Sequence, residues 1–269
     1  MKLFYSIPLI CIEVWVCADT FDKKYKNTFL AKATTSITIP VTPPTCDLPE
    51  GIRYGHTVFS FSDITQAEYT KHPFVNPTEN IIKQVAPETD NYESMYKPVE
   101  QYLIEQENLP FNRVNNCWVI KLSSGKTTQL CDKSGKQAVD DYTGYKLIYY
   151  HSPVHFYQFS VSYYEEGENM LVNAETGEEF NVWNYAYLSP DHQRFIVCSY
   201  DLDAGFSPNG IQMWKVSGDK LVKEFELELP DWGPADPVWV NGKEVYFKRI
   251  VPDRENGTEV VRYTKLSIR

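Results

Sequence analysis

From Asn116 onward, short apolar runs alternate with polar turns that carry glycine, a pattern that predicts strands rather than helices. Four segments share one design: "CWVIKLSSGKTTQL" (117–130), "NMLVNAETGEEFNV" (169–182), "GIQMWKVSGDKLVKEFEL" (210–227) and "TEVVRYTKLSIR" (258–269). Each holds an apolar strand, and the first three continue through a glycine turn into a second strand. The turn glycines Gly125, Gly177 and Gly218 are 52 and 41 residues apart. A further pair of strands precedes three of the units, in "YKLIYYHSPVHFYQFSVSYY", "AYLSPDHQRFIVCSY" and "PVWVNGKEVYFKRI". Four strands in roughly 40–50 residues is the period of a propeller blade. The expected fold is therefore all-β and propeller-like, built of four-stranded blades in a complete or incomplete ring, with a β-sandwich as the alternative.

Upstream, one alternating stretch, "HTVFSFSD" (56–63), reads as a strand. The convincing helical span is "KPVEQYLIEQE" (97–107), with Pro98 in a first turn and Val99, Leu103 and Ile104 on one face. Residues 19–50 are rich in Thr, Pro and Lys and read as an irregular arm, leaving 51–269 as one β-rich domain.

The hairpin at 117–131 is specific enough to set a register. If Ser123-Ser124-Gly125 is a three-residue loop with Gly125 in the left-handed position, Trp118 faces Leu130, Ile120 faces Thr128 and Cys117 faces Cys131. Directly opposed Cβ atoms lie about 4.5–5.5 Å apart, close enough for a disulfide after modest adjustment. Cys46–Cys198 follows by elimination.

The stretch "YLSPDHQRFIVCSY" (187–200) resembles the SPDG turn between the first two strands of a blade in the periplasmic propeller of the Tol–Pal system and related WD-like repeats. His192 stands where those repeats carry glycine. The resemblance covers residues 187–227 and, more loosely, 117–269. It implies a propeller-like fold and no particular function.

Blade topology sorts the loops onto faces. The connections between blades (132–145, 181–187, 230–237) would share one rim with the inner-blade loops (165–169, 201–210, 251–258). That rim would carry Tyr142, Trp183, Tyr185 and Trp232 together with Asp201, Asp203, Asp231 and Asp236, an aromatic and acidic surface suited to a protein or glycan partner. Trp183 and Trp232 have a second reading, as core plugs folded over the blade ends. The loop "DLDAGFSPNG" (201–210) sets oxygens of Asp201, Asp203, Ser207 and Asn209 at alternating positions, as calcium loops do. Yet Gly205 and Gln212 occupy two ligand positions, so a turn held by the Asp201 side chain is the competing expectation. No other cofactor is indicated.

Composition narrows the class of partner. Formal charge is −10 over 269 residues, which argues against nucleic acid and anionic membrane surfaces. Residues 1–18, with Lys2, an apolar run and Val16-Cys17-Ala18, read as a cleaved export signal, too short to be a stable membrane span. The expected location is periplasmic or secreted, where disulfides persist. Chemistry is less legible. "GFSPNG" is not a nucleophile elbow, and His151 and His155 flank Pro153 at too wide a spacing to share a metal. The expectation is an acidic, exported, non-catalytic binding protein, with an immunity or inhibitor role as one form of it. The alternative is a glycan hydrolase on a propeller, using Asp201, Asp203, Asp231 or Asp236 as acid and base.

Overall fold

The anticipated glycine turns all close hairpins. Gly125, Gly177 and Gly218 have φ of +83°, +75° and +62°, the left-handed region that a side chain resists. At the first of them Leu122 N–H donates to Lys126 O, and the strands pair Cys117 with Cys131, Trp118 with Leu130 and Ile120 with Thr128. Cys117 and Cys131 are bonded. At the SPD turn, Ser189 Oγ donates to Asp191 Oδ1 and accepts from Gln193 and Arg194 N–H, so the reversal is fixed by side chain as well as backbone. His192, in the place of glycine, has φ +59°.

The computed structural model describes Leu48 and residues 51–86, 91–134, 142–164, 166–253 and 256–269. The expected export signal and, apart from Leu48, the expected arm lie outside these. Within Cys46–Arg269, one compact unit, the described chain is mostly β. In chain order it runs β1 (Ile52–Tyr54), β2 (Thr57–Ile64), α1 (Gln66–Tyr69), α2 (Pro77–Val85), α3 (Tyr92–Gln106), β3 (Phe111–Val114), β4 (Cys117–Lys121) and β5 (Thr127–Cys131). There follow β6 (Lys133–Ser134), β7 (Tyr142–His151), β8 (Phe156–Ser162), β9 (Gly167–Asn173), β10 (Glu179–Val182), β11 (Ala186–Leu188) and β12 (Arg194–Ser199). The last are β13 (Gly210–Ser217), β14 (Lys220–Glu228), β15 (Gly233–Asn241), β16 (Glu244–Asp253) and β17 (Thr258–Ile268).

These strands form four antiparallel sheets: β3-β4-β5, β6-β7-β8-β9-β10, β11-β12-β13-β14, and β15-β16-β17 completed by β2 and β1. Three are uninterrupted meanders. In the fourth the early strand β2 pairs with the final strand, Phe59 against Ile268 and Ile64 against Tyr263, so both ends of the described chain are held in one sheet.

Three cores join the sheets in order. Trp118, Ile120 and Leu130 pack with Tyr157, Phe159 and Met170, joining the first sheet to the second. Phe156, Leu171 and Val182 pack with Phe195, Val197 and Trp214, joining the second to the third. Ile196, Cys198 and Met213 pack with Phe59, Phe247 and Leu266, joining the third to the fourth. The two middle sheets are therefore apolar on both faces. In β12, Phe195 and Val197 serve one core while Ile196 and Cys198 serve the other, which is why this strand reads as an unbroken apolar run.

The helices cover faces that the sheets leave open. α1 sets Tyr69 against Tyr263 of β17, and His72 just beyond it meets Tyr246 of β16. In α3, Val99 and Leu103 enter the first core, with Ile104 packed beside them, as the sequence spacing requires. The helical expectation is corrected, and α1 and α2 lie beyond it. α3 begins earlier, at Tyr92, because the Asn91 side chain caps it by accepting Ser94 N–H, so Pro98 lies inside the helix rather than in its first turn. α2 was not anticipated, although "NPTE" is a start signal: Asn76 Oδ1 accepts from Thr78 and Glu79 N–H, and Pro77 takes the first position. No helix among the described residues is long and apolar enough to cross a membrane.

Glu100 of α3 is the strained group of this framework. It is 8% exposed and packs beside Leu147 N–H of β7, with Arg113 3.7 Å away. Burial outweighs the Arg113 and Lys146 charges and pushes its carboxyl up to about 7. The fold therefore holds this proton more tightly than the unfolded chain does. The contribution is complete below the unfolded value near 4.5 and is lost as pH rises through about 7. A Glu100→Gln variant should lack that slope. Urea denaturation across pH 4–8 should show wild type and variant level at pH 4, and the variant more stable by up to about 3 kcal/mol at pH 8.

Candidate binding site

Three hollows adjoin one another along the segment that ends β10 and forms β11. The first, of about 410 Å³, lies between β7, β11, β15 and the chain leading into α2, with Tyr149, His151, Tyr185, Tyr187 and Trp239 in its wall. The middle one, about 220 Å³, shares Tyr185, Tyr187 and Pro237 with it and adds Cys198, Tyr200 and Asp236. The third is a polar groove of about 430 Å³ between β8–β9 and the 199–207 loop; it shares Asn184 and Tyr200 with the middle hollow and includes Trp183 and Asp201. Residues 183–188 thus run along all three.

Local chemistry holds this wall in place. Asn184 donates to Cys198 O and accepts from Tyr185 N–H, which pins the loop to β12. Trp183 N–H donates to Gln212 Oε1 of β13. Gln158, fully buried on β8, lies 2.9 Å from His151 Nε2; with its amide nitrogen toward His151 it also donates to Ala186 O and accepts from Ala186 N–H, tying the second sheet to the third. Trp239 Nε1 donates to Tyr187 O, tying the third sheet to the fourth. Tyr200, 37% exposed, bonds Glu259 and lies against Gly233, where an added Cβ would stand 2.0 Å from the ring. Glycine is therefore required there for Tyr200 to reach its place.

The expected site residues divide sharply. Trp183 and Asp201 line the polar groove, and Tyr185 and Asp236 line the middle hollow. Trp232 is a correction: it is 3% exposed, stacked on Phe247 with Arg249 across its ring, so it is core and not contact surface. Tyr185 is likewise 7% exposed; it forms wall, not rim. Trp183 is half-buried against the second–third sheet core. Tyr142, at the start of β7, is 39% exposed, and Asp203 and Asp231 are exposed, but none of the three lines these three hollows.

The opening of the 201–210 loop is a side-chain-held turn. Both Asp201 oxygens are taken: Oδ1 accepts from Ala204 and Gly205 N–H, and Oδ2 accepts from Ser207 N–H. Asn209 accepts from Asp201 N–H and donates to Leu229 O and Trp232 O. The Asp201 and Asn209 oxygens expected for calcium are thus turned to backbone donors, and no cluster of three or more His, Cys, Asp or Glu suited to a metal occurs among the described residues. The N–H groups of Ser207 and Gly205 hold the Asp201 carboxyl below the usual range, so it is poorly suited to donate a proton as a hydrolase acid. Asp236 is paired with Lys248 at 2.6 Å. Cys198 is a buried free thiol, pushed up by burial; Cys46, its expected partner, lies outside the described residues.

Sequence reasoning did not single out Asn184, Tyr187, Tyr200 or Trp239. The available signal was the aromatic spacing of Tyr185 and Tyr187, two apart at the entry to β11 and so on one side of the extended chain. Compared with family models and with curated proteins, the chain matches none of them.

Two outcomes are expected from this geometry. Trp232→Ala should cost about 3–5 kcal/mol in denaturant unfolding, whereas Trp183→Ala should cost only about 1–2 kcal/mol. Asp201→Ala should leave the sheets intact but speed amide exchange selectively at Ala204, Gly205 and Ser207. Since the fold favours the Asp201 carboxylate, its support of the loop is present above the ordinary aspartate range and fades as pH falls through the lowered value.

Proposed function

We propose that this chain is an exported, non-catalytic binding protein of the cell envelope or secreted space. It takes a protein or glycan partner at the polar groove formed by Trp183, Asn184, Tyr200 and Asp201. The observation that carries the reading is this groove: a half-buried tryptophan and a partly exposed tyrosine bordered by amide and hydroxyl groups, on loops held rigidly by the sheets beneath. Aromatic faces flanked by fixed polar groups suit the mixed surface of a sugar or a polar peptide. The acidic balance of the chain favours a basic partner, which fits an immunity or inhibitor role against a cationic protein.

The scaffold we propose is an incomplete four-bladed propeller. In its favour are four consecutive antiparallel sheets, closure of the last by the early strand β2, and the convergence of β7, β11 and β15, the first full strands of three successive sheets, on one cleft. The helices lie on the outer faces of the terminal region, where a closed ring would set blade against blade.

The test is capture from an envelope or secretome extract with the mature chain as bait, beside Trp183→Ala and Tyr200→Ala. A partner retained by wild type and reduced at least tenfold by both variants is the expected result. Equal retention by all three, with folding verified by circular dichroism, overturns the groove as the binding surface. Trp232→Ala is unsuitable here, since its loss would disturb the core.

A further inference from the structure

The first hollow differs in chemistry from the groove. Fourteen residues line it, and none is Asp, Glu, Lys or Arg. In a chain with 23% charged residues, fourteen positions would carry about three. The wall is also stiff: Pro73, Pro77, Pro153 and Pro237 contribute to it, and prolines have little backbone freedom to lose on ligand binding. Tyr149 and Tyr150 come from β7, Tyr187 from β11 with Tyr185 just before it, and Trp239 from β15, so rings enter from three sheets. A largely apolar, aromatic hollow of about 410 Å³ falls in the range of small-molecule sites.

Its polar groups are few and neutral. The hydroxyls of Tyr149 and Tyr187 make no hydrogen bond among the described residues, whereas that of Tyr150 meets His155 Nδ1 at 3.1 Å. The Tyr185 hydroxyl, in the partition between this hollow and the middle one, is buried beside the Thr78 side chain and makes no hydrogen bond of good geometry among the described residues. His151 is 4% exposed among Tyr149, Tyr185 and Phe195, and burial lowers it to about 4, so it is uncharged at neutral pH.

We propose that this cleft binds a small, neutral, flat aromatic molecule of two or three rings, stacked among the tyrosines and Trp239, with phenol hydroxyls bonding its oxygen. An ionised ligand would leave water for a wall with no counter-charge, and burial of an unpaired charge is disfavoured strongly. The inference is independent of the partner groove, since Trp183, Asn184 and Tyr200 do not line this cleft.

The test is titration calorimetry of the mature chain with 1-naphthol and with 1-naphthoate, which has the same rings and an added negative charge. Two variants accompany it: Val75→Trp, at an exposed position on the cleft wall, to fill the space, and Trp183→Ala as a control in the groove. The expected result is saturable one-to-one binding of 1-naphthol, at least tenfold weaker binding of the naphthoate, a tenfold or greater loss in Val75→Trp, and no change in Trp183→Ala. Absence of saturable naphthol binding, equal binding of both probes, or binding that survives Val75→Trp overturns the proposal. Loss in Trp183→Ala with retention in Val75→Trp also overturns it, by moving the ligand to the groove.

Discussion

The structure rests on the middle sheets being buried on both faces. A strand such as β12 cannot present one apolar and one polar side, because Phe195 and Val197 face one core and Ile196 and Cys198 the other. Polar groups that enter this region are cut off from water and are mostly satisfied internally. Gln158 does so through His151 and the Ala186 backbone, and Glu224 through a two-pronged contact with Arg194. These bonds also set the sheets in fixed relation, so the loops at their ends are positioned by the same interactions that fill the cores.

The wall made by residues 183–188 follows from that constraint. The chain must leave β10 in one sheet and enter β11 in the next within three residues, from Val182 to Ala186. Asn184 bonds both Tyr185 N–H and Cys198 O to make the step. Tyr187 of β11 and Tyr185 just before it then fall on the side that meets β7 and β15, and Trp183 on the groove side. One short connection thereby separates two chemistries: an uncharged aromatic cleft and a polar groove with an aspartate-held loop.

Charge enters the framework unevenly. Exposed pairs such as Lys83 with Glu79 contribute little, while Glu100 and His151 are buried where desolvation opposes their ionised forms. One disfavours the fold as pH rises from weakly acidic values toward neutral and above, the other as pH falls below the ordinary histidine range. The two contributions thus slope in opposite directions with pH, one from the α3 side of β7 and the other from the cleft wall.

The sequence alone determined what depends on neighbours along the chain. The hairpin register at 117–131, and with it the Cys117–Cys131 bond, follows from loop length and one left-handed glycine. The SPD turn, the other glycine turns and the apolar face of α3 are of the same local kind. The start of α2 is also written locally, in Asn76-Pro77, with Ile81, Ile82 and Val85 behind it turned to the first core. Burial of loop aromatics was not legible. Trp183 and Trp232 stand in similar polar, turn-rich settings, yet Trp232 stacks on Phe247 because β16 lies beneath it, and only sheet order decides that. Cys198 is buried for a comparable reason, because its strand position places its side chain in the core between the third and fourth sheets. The cleft was hidden for the same cause. Its residues come from β7, β11, β15 and residues 73–77, up to 166 positions apart in sequence, and their convergence is a property of packed sheets rather than of any segment.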